Sequence, residues 1–422
     1  MTRFQSPKGT QDILPPESAR WMELIGRFAD LARRSGFGLV MSPGFEDAEV
    51  FRRSSGDSSD VVTKEMYEFK DRGGRDIALR PEGTASVVRA FVQHSPIPPF
   101  KAWYVAPMFR YERPQAGRFR QHHQLGVETL GTDDPMADVE VIALLAGFYA
   151  DLGLRSLRLR VNSLGDAKCG PGYRQQLSAY LQAHADELCD EHRYKWAVNP
   201  LRILDCKRPE CNKVSAGAPR LREFLCEDCR HHYAEVLGGL DRLSISYEQD
   251  DFLVRGLDYY TRTTFEYGSD LIDGVGGGGR YDGLITALGG QELSGVGFGA
   301  GIERILLACD ADGALAPDDL RLSPPLEVFV VDASVPGIAL ELCAELRAAG
   351  VSVDRAFDGR SMKAQLRTAD RSGAKLACIV GEEDVAAGLV TVRVLRGPEA
   401  RAQQKVAREV VAARVLEITR SS

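Results

Sequence analysis

The 422-residue chain contains no apolar run approaching the length needed to cross a bilayer, about 20 residues. Nor does its opening, MTRFQSPKGTQDILPPE, carry the apolar core of a signal peptide, so a cytoplasmic protein is expected. There is no excess of positive charge. Lys and Arg number 53 against 60 Asp and Glu, a formal net charge of −7, so any nucleic-acid contact must use a local basic patch. Nine cysteines in a chain without a leader argue against a disulfide framework. The glycine run Gly274–Gly283 lacks a following Walker Lys-Ser/Thr and does not sit in a strand–GxGxxG–helix order, which excludes a P-loop and a dinucleotide fold. What is present is bulk: hydrophobic residues make up 44%, enough for sizeable cores, and the length predicts two or three domains.

The densest chemistry lies in Met108–Gly131, MFRYERPQAGRFRQHHQLGVETLG. KAWYVAPMF before the turn formers Pro114 and Gly117, and RFRQHHQLGVETL after them, predict a long hairpin with a flexible basic loop. Strand side chains alternate, so Gln124 and Glu128 share a face with Gly126 between them, and Arg110 lies on the partner strand. Such a face suits a polar, charged ligand; a solvated edge hairpin is the alternative.

Ser18–Ser35 predicts a helix, with Ser18 as cap and Trp21, Leu24, Phe28 and Ala32 inward. A strand at Phe37–Met41 closes on Ser42-Pro43-Gly44, and Ser54–Lys64 reads as a loop. The strand Asp76–Arg80 leads through Pro81-Glu82-Gly83-Thr84 into a helix, which makes Glu82 either a helix cap or a ligand for an ammonium group. Asp251–Tyr267 reads as a strand in which Arg255 and Asp258 flank Gly256, either a buried ion pair or a binding element. Gly295, Gly297, Gly299 and Gly301 recur with period two and strip one strand face bare; a flat adenine ring would fit there. Arg304 follows in the first turn of a helix, where the dipole disfavours a cation unless an anion lies near. Bare strand and misplaced arginine together read as an ATP site.

Residues 168–240 lose the strand pattern and read as a mostly helical insertion. Within it Cys206-x4-Cys211 and Cys226-x2-Cys229 fit one tetrahedral zinc site, although small helical insertions also pack without metal. After a linker at Leu315–Pro325, residues 326–422 alternate strands and helices as an α/β domain. One helix there carries Arg360, Lys363, Arg367 and Arg371 along a face, either solvated or set for a phosphate backbone.

These motifs, in order along nearly the whole chain, resemble those of class II aminoacyl-tRNA synthetases: a Pro-ended first motif, Phe-Arg-x-Glu with its loop, and a glycine strand leading to an arginine helix. Arg-Pro-Glu-Gly-Thr at 80–84, Arg-Gly-Leu-Asp-Tyr-Tyr at 255–260 and Gly-Gly-Gly-Arg-Tyr-Asp-Gly-Leu at 277–284 are similar in wording to the histidyl-tRNA synthetase family in particular. His122-His123 departs from the family's commoner Phe-His, and the cysteine pairs occur in only part of it.

The resemblance implies an α+β fold: a class II antiparallel-sheet catalytic domain at 1–167 and 241–320, the insertion at 168–240, and an anticodon-binding domain at 326–422. It implies a cytoplasmic homodimer acting on L-histidine, ATP with Mg²⁺, and tRNA(His). Arg110 and Arg255 would be catalytic. Glu82, Gly83, Thr84, Gln124, Glu128, Arg255, Tyr259 and Tyr260 would bind histidine; Arg110, Glu112, Arg118 and Arg304 would bind ATP. A non-catalytic synthetase-like regulatory subunit is the competing expectation. Such paralogues typically lack the 255–260 stretch and the C-terminal domain, both of which this chain has.

Overall fold

Because Gly295–Gly301 has side chains on one face only, the two sides of its sheet are built differently. In the computed structural model, which describes residues 4–56, 59, 61–204, 206–316, 320, 326–333, 337–357, 359–397 and 400–420, this strand lies inside an eight-stranded sheet. The strand order is Gly38–Leu39, Phe100–Phe109, Gln121–Leu130, Gly295–Gly301, Gly276–Tyr281, Thr261–Gly268, Arg158–Ser163 and Glu248–Gln249. The six central strands are antiparallel and the short outermost one at each edge pairs in parallel. The fold is thus α+β, with a mixed rather than purely antiparallel sheet.

Val296, Phe298 and Ala300 are buried on the back face. There Phe28, from the helix Glu17–Arg34, meets Trp103, Phe148 and Phe298 edge-on, with ring centroids 5.9, 5.2 and 6.3 Å away, a favoured aromatic geometry. Phe148 comes from the helix Pro135–Leu152, capped by the Asp134 side chain on the Met136 N–H. Ser18 does not cap the first helix; the helix begins one residue earlier, after Pro16.

Beside the helix Thr84–His94 stands a three-stranded sheet, in the order Phe45–Asp47, Asp76–Leu79, Tyr67–Lys70, with the helix Ala48–Ser55 capped by Asp47. The loop expected over Ser54–Lys64 overlaps the end of that helix and a π-helical turn, Val61–Glu65; its residues 57, 58 and 60 lie outside the described residues. The glycine run is a strand, Gly276–Tyr281, buried throughout. The strand expected from Asp251 begins only at Thr261, and residues 251–260 are turns and coil. Arg255 and Asp258 therefore do not flank a glycine within a sheet.

Residues 170–242 are largely helical: Gly170–Ala183, Leu201–Leu204, Pro209–Ala216 and Glu227–Arg242, around a core that includes Tyr173, Leu177, Leu181 and Val214. The chain divides into two compact units, Met1–Asp319 and Leu320–Ser422, with the helical region inside the first. Most of the expected linker, at 317–319 and 321–325, lies outside the described residues.

The second unit is a five-stranded sheet in the order Val353–Arg355, Val328–Ala333, Leu376–Gly381, Leu389–Val394, Gln403–Ala407, with the first three parallel and the last two antiparallel. The helices Ile338–Ala348, Met362–Arg371, Glu382–Ala386 and Val411–Arg420 accompany it. The edge strand Gln403–Ala407 was not anticipated: of QQKVA only Val406 is buried, so the alternation signal is a single residue. Among the described residues no helix is long and apolar enough to cross a membrane.

Candidate active site

Strand register puts three glycines in a row across the front of the sheet. Gly126 pairs with Gly299, and Gly299 with Gly277. In the next row Glu128 pairs with Gly297, and Gly297 with Gly279. Much of the space left by the missing side chains is filled by neighbouring side chains, while Gly299 and Gly301 still border a cleft. A Cβ on Gly297 would fall on the Glu128 carboxylate, one on Gly299 on the Gln124 amide, and one on Gly295 on the Tyr281 ring. The glycines let the polar side chains of the hairpin lie flat on their neighbour. Gly83 and Gly126 do the same for Tyr104, whose ring lies against both.

A closed polar cluster results. Thr84 Oγ1 donates to Glu128 Oε1 at 2.7 Å, and the Tyr281 hydroxyl donates to Glu128 Oε2. Glu82 accepts from the backbone N–H groups of Thr84 (2.6 Å) and Ala85 (2.8 Å), capping the helix. Tyr259 packs on Tyr260 and Tyr281, with centroids 4.6 and 5.6 Å away. Glu82, Thr84, Glu128, Tyr104, Tyr259 and Tyr281 are all buried. Burial pushes the Glu128 carboxyl up to about 8, against the pull of the Tyr281 and Thr84 hydrogen bonds, and the negative charge of Glu82 adds to the rise. Burial also raises Glu82, outweighing its two backbone donors and the Arg110 charge. Among the described residues, the Gln124 carbonyl oxygen is buried without a hydrogen-bond partner.

Beside this cluster opens a cleft of about 310 Å³, within the range of small-molecule sites. Its walls include Arg110, Arg118, Arg255 and Arg304 from distant parts of the chain, with Glu112, Gln124, Gly299 and Gly301. Arg110 is aimed by its Nε–H bond to the Pro81 carbonyl, 2.8 Å away. Arg255 pairs with Glu266 on the adjacent strand and passes over Gly277, where a Cβ would come within 3.0 Å of its guanidinium. Glu112 lies between Arg110 and Arg118, at 3.9 and 3.7 Å. Burial lowers the Arg304 pKa, and the nearby Arg118 charge lowers it further. Crowded cations of this kind favour a polyanion in the cleft.

Among the candidates, Arg110, Glu112, Arg118, Gln124, Arg255 and Arg304 line the cleft, while Glu82, Gly83, Thr84, Glu128, Tyr259 and Tyr260 form or adjoin the buried cluster. Sequence reasoning gave no role to Tyr104, Tyr281, Glu266, Asp273 or Lys207. Tyr281 lay in a quoted motif. Glu266 sits between Phe265 and Tyr267 in the strand Thr261–Gly268, the kind of misfit that flags a carboxylate with a partner. Burial also lowers His122 to about 3, with the Arg110 and His123 charges acting the same way. His122 is therefore a neutral lining residue of the cleft.

In the second unit Lys363, Arg367 and Arg371 are exposed on the helix Met362–Arg371, opposite the buried Gln365 and Ala369, and Arg360 is exposed just before it. The single zinc site is not formed. Cys206 and Cys211 gather with Cys189 and His192, whereas Cys226 and Cys229 gather with Asp166 and Cys169.

A histidyl-tRNA synthetase profile matches residues 9–305 and an anticodon-binding-domain profile residues 327–418. The histidine–tRNA ligase of Moorella thermoacetica is 47% identical over 408 residues, 95% of each chain, and that of Mycobacterium marinum is 47% identical over 403 residues, 94% of each. The crystal structure of apo S. aureus histidyl-tRNA synthetase superposes with a TM-score of 0.80 at 32% identity, covering 98% of this chain and 100% of that one.

Proposed function

The chain belongs to the histidyl-tRNA synthetase family, and from that premise we propose how its cleft activates L-histidine with ATP and charges tRNA(His). The carboxylate of histidine attacks the α-phosphorus in line, pyrophosphate leaves, and histidyl-adenylate forms. The terminal ribose hydroxyl of the tRNA then attacks the activated carbonyl carbon, loses its proton, and releases AMP. Chemistry of this kind is mostly positioning and charge stabilisation.

The observation that carries the reading is the gathering of Arg110, Arg255 and Arg304 around one cleft. Arg110 and Arg255 neutralise the α-phosphate as negative charge builds, and Arg118 and Arg304 take the β- and γ-phosphates. Glu82, Thr84 and Gln124 receive the α-amino group. Glu128 and Tyr260 read the imidazole, and Tyr259 and Gly83 line the pocket. Glu128, already bonded to Thr84 and Tyr281, favours histidine by accepting its imidazole N–H as a further hydrogen bond that side chains without such a donor forfeit.

Glu112, Glu266 and Asp273 give the cleft the hard oxygen donors that suit Mg²⁺. Glu112 and Glu266 would hold the ion, which would supply charge neutralisation at the phosphates when bound.

The catalytic body is 1–167 with 241–320, the insertion is 168–240, and 326–422 binds the anticodon, with the basic face Arg360, Lys363, Arg367 and Arg371 on phosphates. A second copy of the chain covers the edge strand Gly38–Leu39, where Leu39 and the following Met41 are exposed. The enzyme works in the cytoplasm. Histidine-dependent exchange of labelled pyrophosphate into ATP tests the reading. Exchange with histidine and none without it supports the ligase; its absence in folded, Mg²⁺-supplied protein favours the non-catalytic regulatory subunit.

A further inference from the structure

The cysteines left over from the catalytic account form two clusters, each with the donor set of a closed metal site. In the first, Asp166 and Cys169 lie where the chain leaves the strand Arg158–Ser163 for the helix Gly170–Ala183, and Cys226 and Cys229 start the helix Glu227–Arg242. In the second, Cys189 and His192 occupy a turn, and Cys206 and Cys211 flank and enter the helix Pro209–Ala216. Within each set, one ligand atom from every residue lies within 4.8 Å of all the others.

The spacings match an ion-sized centre. With Zn–S near 2.3 Å, tetrahedral geometry places neighbouring sulfurs about 3.8 Å apart, and sulfur and nitrogen or oxygen slightly closer. In the first cluster Cys169 Sγ is 3.8 Å from Cys229 Sγ and 3.3 Å from Asp166 Oδ1, and Cys226 Sγ is 3.8 Å from Asp166 Oδ2. In the second, His192 Nδ1 is 3.3 Å from Cys189 Sγ and 3.6 Å from Cys211 Sγ. All these cysteines are free, and 3.8 Å is far beyond the S–S bond of about 2.05 Å.

Ordinary core packing explains gathered thiols but not the His192 imidazole placed among them; Asp166 also accepts from the Lys168 and Cys169 backbone N–H groups at 2.9 and 3.2 Å, which fixes its carboxylate beside the sulfurs. Backbone N–H groups also point at the sulfurs, from Asp166 to Cys169 Sγ (3.3 Å) and from Cys189 to Cys211 Sγ (3.5 Å). Such outer donors orient and stabilise thiolate ligands. Gly165, at φ +65°, is where the chain needs no side chain, since a Cβ would stand 2.6 Å from Cys169 Sγ.

We propose that residues 166–229 bind two zinc ions in separate structural sites, one on Asp166, Cys169, Cys226 and Cys229, the other on Cys189, His192, Cys206 and Cys211. Thiolate with imidazole or a single carboxylate selects zinc over hard cations. Four protein ligands leave no open position, so the ions are structural rather than catalytic. The first ties the starts of two helices to the sheet exit. The second ties together a segment in which the helices Leu201–Leu204 and Pro209–Ala216 span 4 and 8 residues, too short to persist alone.

The proposal is independent of the catalytic reading, and its test uses no activity. The full chain is expressed in zinc-supplemented medium, purified without chelator, and analysed for metal by mass spectrometry and for thiols in denaturant. The expected result is two zinc per chain with every cysteine reduced. Cys206→Ser/Cys211→Ser and Cys226→Ser/Cys229→Ser should each retain one. Should a variant fail to fold, wild-type protein treated with a thiol-blocking reagent should still release two equivalents to a metallochromic dye. Metal-free protein, a single equivalent in the wild type, or cysteines recovered as disulfides would overturn the assignment.

Discussion

Thr84 and Glu128 are joined by a 2.7 Å hydrogen bond that ties the first turn of the helix Thr84–His94 to the glycine floor of the sheet. Glu128 therefore belongs at once to the fold and to the pocket, and its burial has a measurable consequence.

Glu128 holds its proton up to about pH 8 in the folded chain, whereas an unfolded glutamate loses it near ~4.3. Between those values the folded state binds more protons than the unfolded state. The stability contributed is full below the lower value and is lost as pH rises through the upper one. Glu128→Gln cannot ionise, so without histidine its urea midpoint should fall less between pH 5 and pH 8 than that of the wild type. Equal declines would contradict the burial argument. The same substitution should raise the KM for histidine about tenfold or more, ~1.4 kcal/mol per tenfold.

Arg280 and Asp138 form a fully buried pair. Arg280 also donates to the Thr132 and Asp134 carbonyls at 2.8 and 3.0 Å, and His232 Nε2 lies 3.4 Å from Asp138. Burial alone would raise Asp138, but the His232 and Arg280 contacts take it below the usual range. Asp138→Ala leaves a buried guanidinium without its carboxylate and should cost about 3–5 kcal/mol. The paired change Asp138→Leu/Arg280→Met should cost less. Urea denaturation of both variants decides it.

The helix face Lys363, Arg367 and Arg371 predicts a salt effect. Replacing all three by Ala should weaken tRNA binding and flatten the slope of log K against log salt by about 0.7–0.9 per lost phosphate contact. Histidine-dependent pyrophosphate exchange without tRNA should be unchanged. An unaltered slope would make the stripe a solvated face.

Local pattern reveals elements, and distant pairing decides what they touch. The period-two glycines at 295–301 were legible as a strand with one bare face because that periodicity is local. That Gln124 and Glu128 fill much of the bare face depends on register with a strand some 170 residues away, set only when the sheet forms. The cysteines show the same limit. Cys206-x4-Cys211 and Cys226-x2-Cys229 looked like one ligand set, yet each pair meets partners brought by another turn, with Asp166 and Cys169 some 60 residues from theirs. Arg255 misled in the opposite direction: aromatic and β-branched neighbours suggested a strand, but the residue lies in a turn region and reaches Glu266 on the next strand.

Arg255 is the most direct test of the phosphate cleft. In Arg255→Ala, histidine binding is measured by calorimetry and labelled pyrophosphate exchange is followed with saturating histidine and ATP. Exchange should fall about 10²-fold or more, while histidine affinity changes by less than about tenfold. Exchange retained near the wild-type rate, with the variant folded, would contradict the account.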